Sequence, residues 1–416
     1  MSSSPFRSVR LAPKDPILGM TEAFNADDRP GKINLGVGVY TDAEGRVPVL
    51  SAVREAEDLR FTKALAHSYL PIDGLAGFNR STQKLLFGEQ AEVLANGRVV
   101  TAQALGGTGG LKIGADFLHG VDPRAEVLIS DPSWENHVAL FTQAGFTVRN
   151  YPYYDPSTHG LDFDGMMRTL DAAKAGTIVV LHACCHNPTG VDPDRTQWAR
   201  IVATVVERGL MPFLDIAYQG FAEGVEADAF VVRAFADTGV EFLVSSSFSK
   251  SFSLYGERVG ALSIVTADRS ESTRVISQLK RVIRTNYSNP PTHGGAIVAA
   301  VLGDPRLRAS WDDELTGMRD RIRAMRIGLV SRLKQRMPSV NFDYIERQRG
   351  MFSYSGLTSQ QVGRLRDEFA IYALETGRMC VASLNDRNID IVADAIAEVS
   401  GRSSASSQSN SAMTAI

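Results

Sequence analysis

Through residues 47–303 the sequence repeats one pattern, a short run of apolar and largely β-branched residues followed by a helical stretch. The runs lie at 99–101, 126–130, 177–181, 211–216, 242–246 and 261–265. Strands that are apolar along their length must be covered on both faces, and intervening helices supply that cover. The pattern therefore predicts an α/β fold on a mainly parallel sheet with helices on both faces. One intervening helix, over 198–208, is especially clear: Trp198, Ile201, Val202 and Val205 share a face, and Gly209 ends it. Ligands of open α/β sheets gather beyond the carboxyl ends of the strands, so the residues following each run are the candidates for chemistry.

The run at 242–244 leads into Ser246, Ser247, Phe248, Ser249 and Lys250, with Arg258 eight residues on. A lysine amine loses its proton readily when desolvated and can then condense with a carbonyl. The hydroxyls of Ser247 and Ser249 and the guanidinium of Arg258 suit a phosphate monoester. A phosphate-bearing aldehyde satisfies both, which points to pyridoxal phosphate; a solvated lysine in a serine-rich loop fits this stretch equally well. Asp215 ends an otherwise apolar strand, where an unpaired charge is costly and a cationic partner is required. A pyridinium nitrogen is one such partner, and a helix cap or a structural ion pair is another. Asn187 stands immediately before Pro188, which holds it extended and lets its amide point into a strand-end crevice. The neighbouring His182 and His186 read as hydrogen-bonded core histidines, because no further ligand has zinc spacing. Gly106-Gly107-Thr108-Gly109-Gly110 opens a helix, and free amides with the helix dipole favour a phosphate there. A plain tight turn accounts for those glycines too.

With 416 residues, 44% hydrophobic and 22% charged, the chain can bury a large core and is long enough for two or more domains. A formal net charge of -3 offers no general attraction to nucleic acid or to anionic lipid. Cys184, Cys185 and Cys380 form neither a metal spacing nor a disulfide framework, so a cytoplasmic location is expected. No apolar run approaches the roughly 20 residues of a membrane helix, so no membrane partner is expected. Pro5, Pro13 and Pro16 should interrupt any helix near the start, leaving a short extended arm. Residues 33–40 alternate around Gly36 and Gly38 and read as a short strand that can approach a ligand closely. A tight bend between domains is the other reading. Residues 1–46 are assigned to this arm and to part of a small domain, and 47–309 to the large domain. Residues 310–401 form the small carboxy-terminal domain, and the serine-rich 402–416 a disordered tail. The small domain opens with a long helix behind Ser310-x-x-Asp313 that ends near Pro338. It continues with strands at 350–354 and 379–382, a helix opening at Thr358-x-x-Gln361, and a last helix over 389–399.

Taken in order, Gly107 with Thr108, Asp131-Pro132-Ser133-Trp134, Asn187-Pro188, Asp215 with Tyr218, Lys250 with Arg258, Arg284 before Tyr287-Ser288-Asn289-Pro290-Pro291, and Arg378 resemble the class I aminotransferases. Through 185–190, 217–221 and Ser249-Lys250 the chain is most similar to the aspartate and aromatic amino acid aminotransferases within that class. The resemblance implies the fold type I architecture of pyridoxal-phosphate-dependent transferases, with a seven-stranded sheet and a smaller α/β domain, in a homodimer. It implies that Lys250 holds pyridoxal 5'-phosphate and moves the substrate proton. Asp215 would meet the ring nitrogen, Asn187 and Tyr218 the phenolic oxygen, and Trp134 the ring face. Gly107, Thr108, Ser247, Ser249 and Arg258 would hold the phosphate, joined by Tyr69 from the other subunit. Arg378 would clamp the substrate α-carboxylate with Gly38 closing over it, and Arg284 would reach across the dimer to a side-chain carboxylate. Three positions depart from the family pattern: Gly110 and Cys380 replace the usual Ala and Asn, and Ser383 the usual Gly. Glycine at 110 is expected to loosen the helix start by up to ~1 kcal/mol. The implied activity is amino-group exchange between aspartate, with aromatic amino acids as weaker donors, and 2-oxoglutarate. Thr41, Val47 and Ser68 are intermediate between the two substrate types, and Asn289 leans towards aspartate. Alternatives are a mainly aromatic enzyme, β-decarboxylation or racemisation on the same cofactor, and a non-catalytic cofactor-binding regulator. The last usually carries a DNA-reading helix-turn-helix, and no basic stretch of that kind precedes Ile33 or follows Gly401.

Overall fold

The computed structural model describes residues 4, 6–12, 16–64, 66 and 68–409, with backbone alone for 16–18 and 402–409. Its centre is a seven-stranded sheet made of β1 (Val99–Leu105), β2 (Glu126–Asp131), β3 (Thr147–Pro152), β4 (Ile178–His182), β5 (Met211–Ile216), β6 (Phe242–Ser247) and β7 (Val259–Val265). Across the sheet they run β1-β7-β6-β5-β4-β2-β3. All neighbours are parallel except that β7 runs antiparallel to both β1 and β6. Six strands stand where the apolar runs predict them. The seventh, β3, is an edge strand with only Tyr151 fully buried, so its sequence Thr-Val-Arg-Asn-Tyr-Pro carries little apolar signal.

Alternation along each strand sorts the core into two. Val127, Ile129, Ile178, Val180 and Phe213 pack on one face, while Leu128, Val179, Leu181, Leu214 and Ile216 pack on the other. Successive side chains of a strand point to opposite faces, so a run apolar at every position feeds both cores at once.

The long helix spans Pro305–Arg336, five residues earlier than Ser310 suggests. Asp304 caps it, accepting from the amides of Arg306 (2.9 Å) and Leu307 (3.0 Å), and proline suits the first helical position. The expected domain boundary between 309 and 310 falls inside this helix. Pro16, expected to interrupt a helix, instead begins one, Pro16–Ala26, because a proline in the first turn loses no hydrogen bond. The Thr358–Gln361 capping box is present, opening the helix Ser359–Phe369. The last helix, Ile389–Ser409, runs ten residues past the expected end at 399. No proline stands between Gly401 and Ser409, and extending a helix costs far less than nucleating one. The rest of the expected disordered tail, 410–416, lies outside the described residues.

Only Ile33–Asn34 of the expected strand at 33–40 is extended, paired in parallel with Ile371–Tyr372. Asn34 ends it by accepting the amides of Gly36 (3.0 Å) and Val37 (3.4 Å) through its own side chain. Near the carboxy terminus, Phe352–Tyr354 pairs antiparallel with Arg378–Cys380, and 381–383 turns as a short 3-10 segment rather than continuing the strand. The amino-terminal segment thus lies against the last quarter of the chain. No helix of the described residues is long and apolar enough to cross a membrane.

Candidate active site

The carboxyl ends of β4, β5 and β6 lie side by side, with His182 in register with Asp215 and Asp215 with Ser245. They open into a cavity of about 230 Å³. Its wall includes Gly107, Thr108, Trp134, Asn187, Asp215, Tyr218, Ser247, Ser249, Lys250, Arg258, Gly38 and Arg378. Twelve residues drawn from positions 38 to 378 therefore share one pocket. Tyr69 and Arg284 are outside it: Tyr69 is 93% exposed, and Arg284 is exposed beside Ser288.

Lys250 follows β6, and its ammonium lies 5.1 Å from the centre of the Tyr218 ring. Desolvation brings it down to about 8, with the Asp215 charge opposing and Arg258 and Arg378 assisting. A useful fraction of free amine therefore exists near neutral pH. Burial pushes the Tyr218 phenol well up.

Asp215 accepts at Oδ2 from His137 Nε2 (2.9 Å), and His137 Nδ1 lies 3.2 Å from His182 Nε2. The backbone amide of Asn187 donates to His182 Nδ1 (3.1 Å), so that nitrogen carries no proton. The rest follows in sequence: neutral His182 donates from Nε2 to His137 Nδ1, and His137 donates from Nε2 to Asp215. One backbone amide fixes two imidazole tautomers. Burial keeps His182 neutral, lowering it to about 3. Burial also raises Asp215, but the His137 hydrogen bond and the charges around it outweigh that and leave the carboxyl below its ordinary value. His137, His182 and Asp215 stand close enough to share a metal, yet these hydrogen bonds already occupy the nitrogen atoms.

At one end of the cavity the helix Gly106–Val121 begins. Arg258, in the left-handed conformation at φ +53°, donates to the Tyr255 carbonyl (2.9 Å) and approaches Ser249 Oγ (3.4 Å). A strained non-glycine backbone is retained where the surrounding structure overdetermines it. Gly110 corrects the expectation of a loosened helix start. A Cβ there would lie 2.6 Å from Ser245 Oγ and 2.8 Å from the Ala261 carbonyl, so glycine lets the helix settle onto β6 and β7.

Arg378, 1% exposed, also lines the cavity. It donates to Asn187 Oδ1 (2.9 Å) and to the Gly36 carbonyl (2.7 Å), and its guanidinium lies 4.1 Å from the Phe352 ring centre. Its Nε is buried with no hydrogen-bond partner among the described residues. A guanidinium in the cavity wall offers the planar fork that suits a carboxylate.

Sequence reasoning overlooks His137, Phe352 and Arg326. His137 is wholly buried but looks like any polar helix residue three positions after Trp134. Arg326, 4% exposed on the apolar face of the long helix, donates to the carbonyls of Gly350 (2.7 Å) and Phe352 (3.0 Å) and holds the segment bearing Phe352. The one available signal is its periodic place among Ile322, Leu329 and Val330, where a charge is out of pattern.

Residues 30–396 match the family model for aminotransferases of class I and II. The aspartate aminotransferase of Pseudomonas aeruginosa is 60% identical over 95% of this chain and 100% of its own length. The aromatic-amino-acid aminotransferase of Escherichia coli is 51% identical over 95% of this chain and 100% of its own. Among solved structures, the aromatic-amino-acid aminotransferase of Burkholderia pseudomallei covalently bound to pyridoxal phosphate superposes with a TM-score of 0.93. It is 66% identical, over 95% of this chain and 100% of that one. A desolvated lysine, an acid at a neighbouring strand end and two arginines in the wall of one pocket agree with these likenesses: the chain belongs to the class I and II aminotransferases.

Proposed function

We propose that the chain is a pyridoxal-phosphate-dependent enzyme that moves an amino group between L-aspartate and 2-oxoglutarate, with aromatic amino acids as weaker donors. One observation carries this reading. A single pocket is lined by a desolvated amine, Lys250, by Arg258 near the glycine-rich helix start and by Arg378, and the charges of both arginines act on that amine. Two guanidinium groups in the wall around one amine suit a cofactor phosphate and an amino-acid carboxylate. Aspartate and aromatic aminotransferases stand side by side among the relatives, which supports the mixed donor range.

The residues present fit the cofactor. Gly107, Thr108, Ser247, Ser249 and Arg258 would take its phosphate, Asp215 its ring nitrogen, Asn187 and Tyr218 its phenolic oxygen, and Trp134 its face. When bound, pyridoxal phosphate supplies a carbonyl for the amino group and an electron-withdrawing ring. Lys250 Nζ, with an unprotonated fraction at neutral pH, takes the proton from the substrate Cα and returns it during the exchange. Asp215, kept ionised because His137 donates to it, would hold its charge for the ring nitrogen. Arg378 fixes the α-carboxylate, and with it the direction of the Cα–H bond.

The protein acts as a homodimer in this reading. Tyr69 and Arg284 lie outside the pocket of their own chain, and the exposed apolar residues Phe61, Val47, Val49 and Leu59 need cover. Tyr69 would then complete the partner's phosphate site and Arg284 its side-chain site. Unpaired, buried Cys184, Cys185 and Cys380 support a reducing, cytoplasmic setting. The test is the absorption spectrum of the holoenzyme before and after aspartate. A shift reversed by 2-oxoglutarate is expected, and an unchanged spectrum would mean binding without turnover. Arg284→Leu separates the donors: kcat/KM for aspartate should fall by about 2–3 kcal/mol in barrier terms, while that for phenylalanine is spared. Equal losses would remove Arg284 from side-chain recognition.

A further inference from the structure

The turn that carries Gly38 is held by few atoms. The Val39 amide donates to the Val37 carbonyl (2.9 Å), closing a three-residue turn with Gly38 at its tip. A Cβ on Gly38 would lie 2.6 Å from Phe352 Cζ, so the tip rests on the ring that Arg378 also meets. Both flanks are pinned. Before the turn, the Gly36 carbonyl accepts from Arg378. After it, the Tyr40 amide donates to the Tyr255 hydroxyl (2.9 Å), and Arg321 donates to the carbonyls of Thr41 (2.8 Å) and Asp42 (3.1 Å).

The turn itself is reached from outside by Asn34 at the Val37 amide and, at the Val39 carbonyl, by Ser383 Oγ (3.1 Å) and Cys380 Sγ (3.7 Å). Ser383 Oγ also lies 3.5 Å from Cys380 Sγ, so its one proton serves either the sulfur or the nearer Val39 carbonyl, while the thiol proton has that same carbonyl, with its two lone pairs, in reach. Behind the turn lies a second cavity of about 540 Å³, lined by Val37, Val39 and Ser383 among others. With open space at its back and the Phe352 ring against its tip, the turn depends on these hydrogen bonds to keep it from moving into that space. Cys380 is also in register with Phe352 across the two-stranded sheet. Turn, ring and guanidinium are thus linked through 378–383.

We propose that Ser383 and Cys380 are positioning residues that hold the Gly38 turn at its height over the substrate and set how tightly the pocket grips the amino-acid end. This rests on the reading that Arg378 and Gly38 receive a substrate carboxylate. The grip is then common to all donors, since the turn is tied to Arg378 through the Gly36 carbonyl.

The experiment compares holoenzyme of wild type, Ser383→Ala, Ser383→Thr and the Cys380→Ala/Ser383→Ala double variant. KM and kcat are measured for aspartate and phenylalanine, the Kd of succinate by calorimetry, and Tm by circular dichroism. One hydrogen bond lost at the turn should raise both KM values and the succinate Kd together, about three- to fivefold in Ser383→Ala. The double variant should lose about tenfold or more, with kcat within about twofold throughout, and Ser383→Thr should return towards wild type. Unchanged KM and Kd in Ser383→Ala would overturn the proposal. So would a loss that follows Tm and is not restored by threonine. If the wild type turns over neither donor, the aminotransfer reading fails, and the succinate Kd series still decides this one. Should the double variant not fold, Ser383→Ala with its threonine control is decisive alone.

Discussion

The floor of the pocket and its lip are built by different means. The floor is made of strand ends: Asp215, Ser247, Ser249 and Lys250 each follow an apolar run within a few residues, with sheet hydrogen bonds fixing Asp215 and Ser247 and the turn just beyond the strand carrying Ser249 and Lys250. The lip is made of Gly38, Phe352 and Arg378: a three-residue antiparallel pairing joins the segments of the last two, and a two-residue parallel pairing with single side-chain bonds brings Gly38 to them from the other end of the chain. A floor held by a ladder should govern chemistry. A lip held by a few hydrogen bonds should govern affinity.

The strongest break of that division is Lys250→Ala, which should lower kcat by at least about 10⁴-fold through loss of the proton carrier, with cofactor still bound through the phosphate and ring contacts. Near-normal turnover would remove Lys250 from the chemistry. Asp215→Ala should cost about 10²–10³ in kcat, with a much smaller effect on cofactor affinity. A change of only a fewfold would make Asp215 a structural acid. On the lip, Arg378→Lys keeps the charge but loses the planar fork, and should lower kcat/KM for aspartate and phenylalanine alike by about 2–3 kcal/mol, chiefly through KM. A fall confined to kcat would place Arg378 with the floor.

The smallest effect concerns stability. His182 is lowered to about 3 in the folded chain, against about 6.5 when unfolded. Between those values the unfolded chain binds a proton that the folded one refuses. Stability from this group is therefore complete above about pH 6.5 and is lost as pH falls towards 3. The slope is at most about 1.4 kcal/mol per pH unit for one such group. His182→Gln should flatten urea-melt stability against pH across that window, with His186, also held well below its ordinary value by burial, keeping the remainder. An unchanged slope would show that His182 takes up its proton without unfolding.

Sequence by itself determined the floor, because the signals there are local. A run of apolar residues predicts a buried strand, and the polar residue that ends it stands where ligands bind. Lys250, Asp215, Asn187 and the glycines at 106–110 are all legible in this way, as is the parallel sheet beneath them. The exposed edge strand Thr147–Pro152 is not, since a strand with one buried side chain has no pattern to show. Element ends that depend on a single cap, such as Asp304 before Pro305, are also missed when a later Ser-x-x-Asp competes for the same role. Only the tertiary structure decided the rest. His137 becomes the donor to Asp215 because its helix lies across the sheet end. Arg326 becomes a support for Phe352 because the long helix turns that face inward. Cys380 and Ser383 become anchors for Val39, about 340 residues away, because Ile33–Asn34 pairs beside Ile371–Tyr372. Such contacts leave no trace in local periodicity, since burial and partner are set by how distant segments pack and not by the residues on either side.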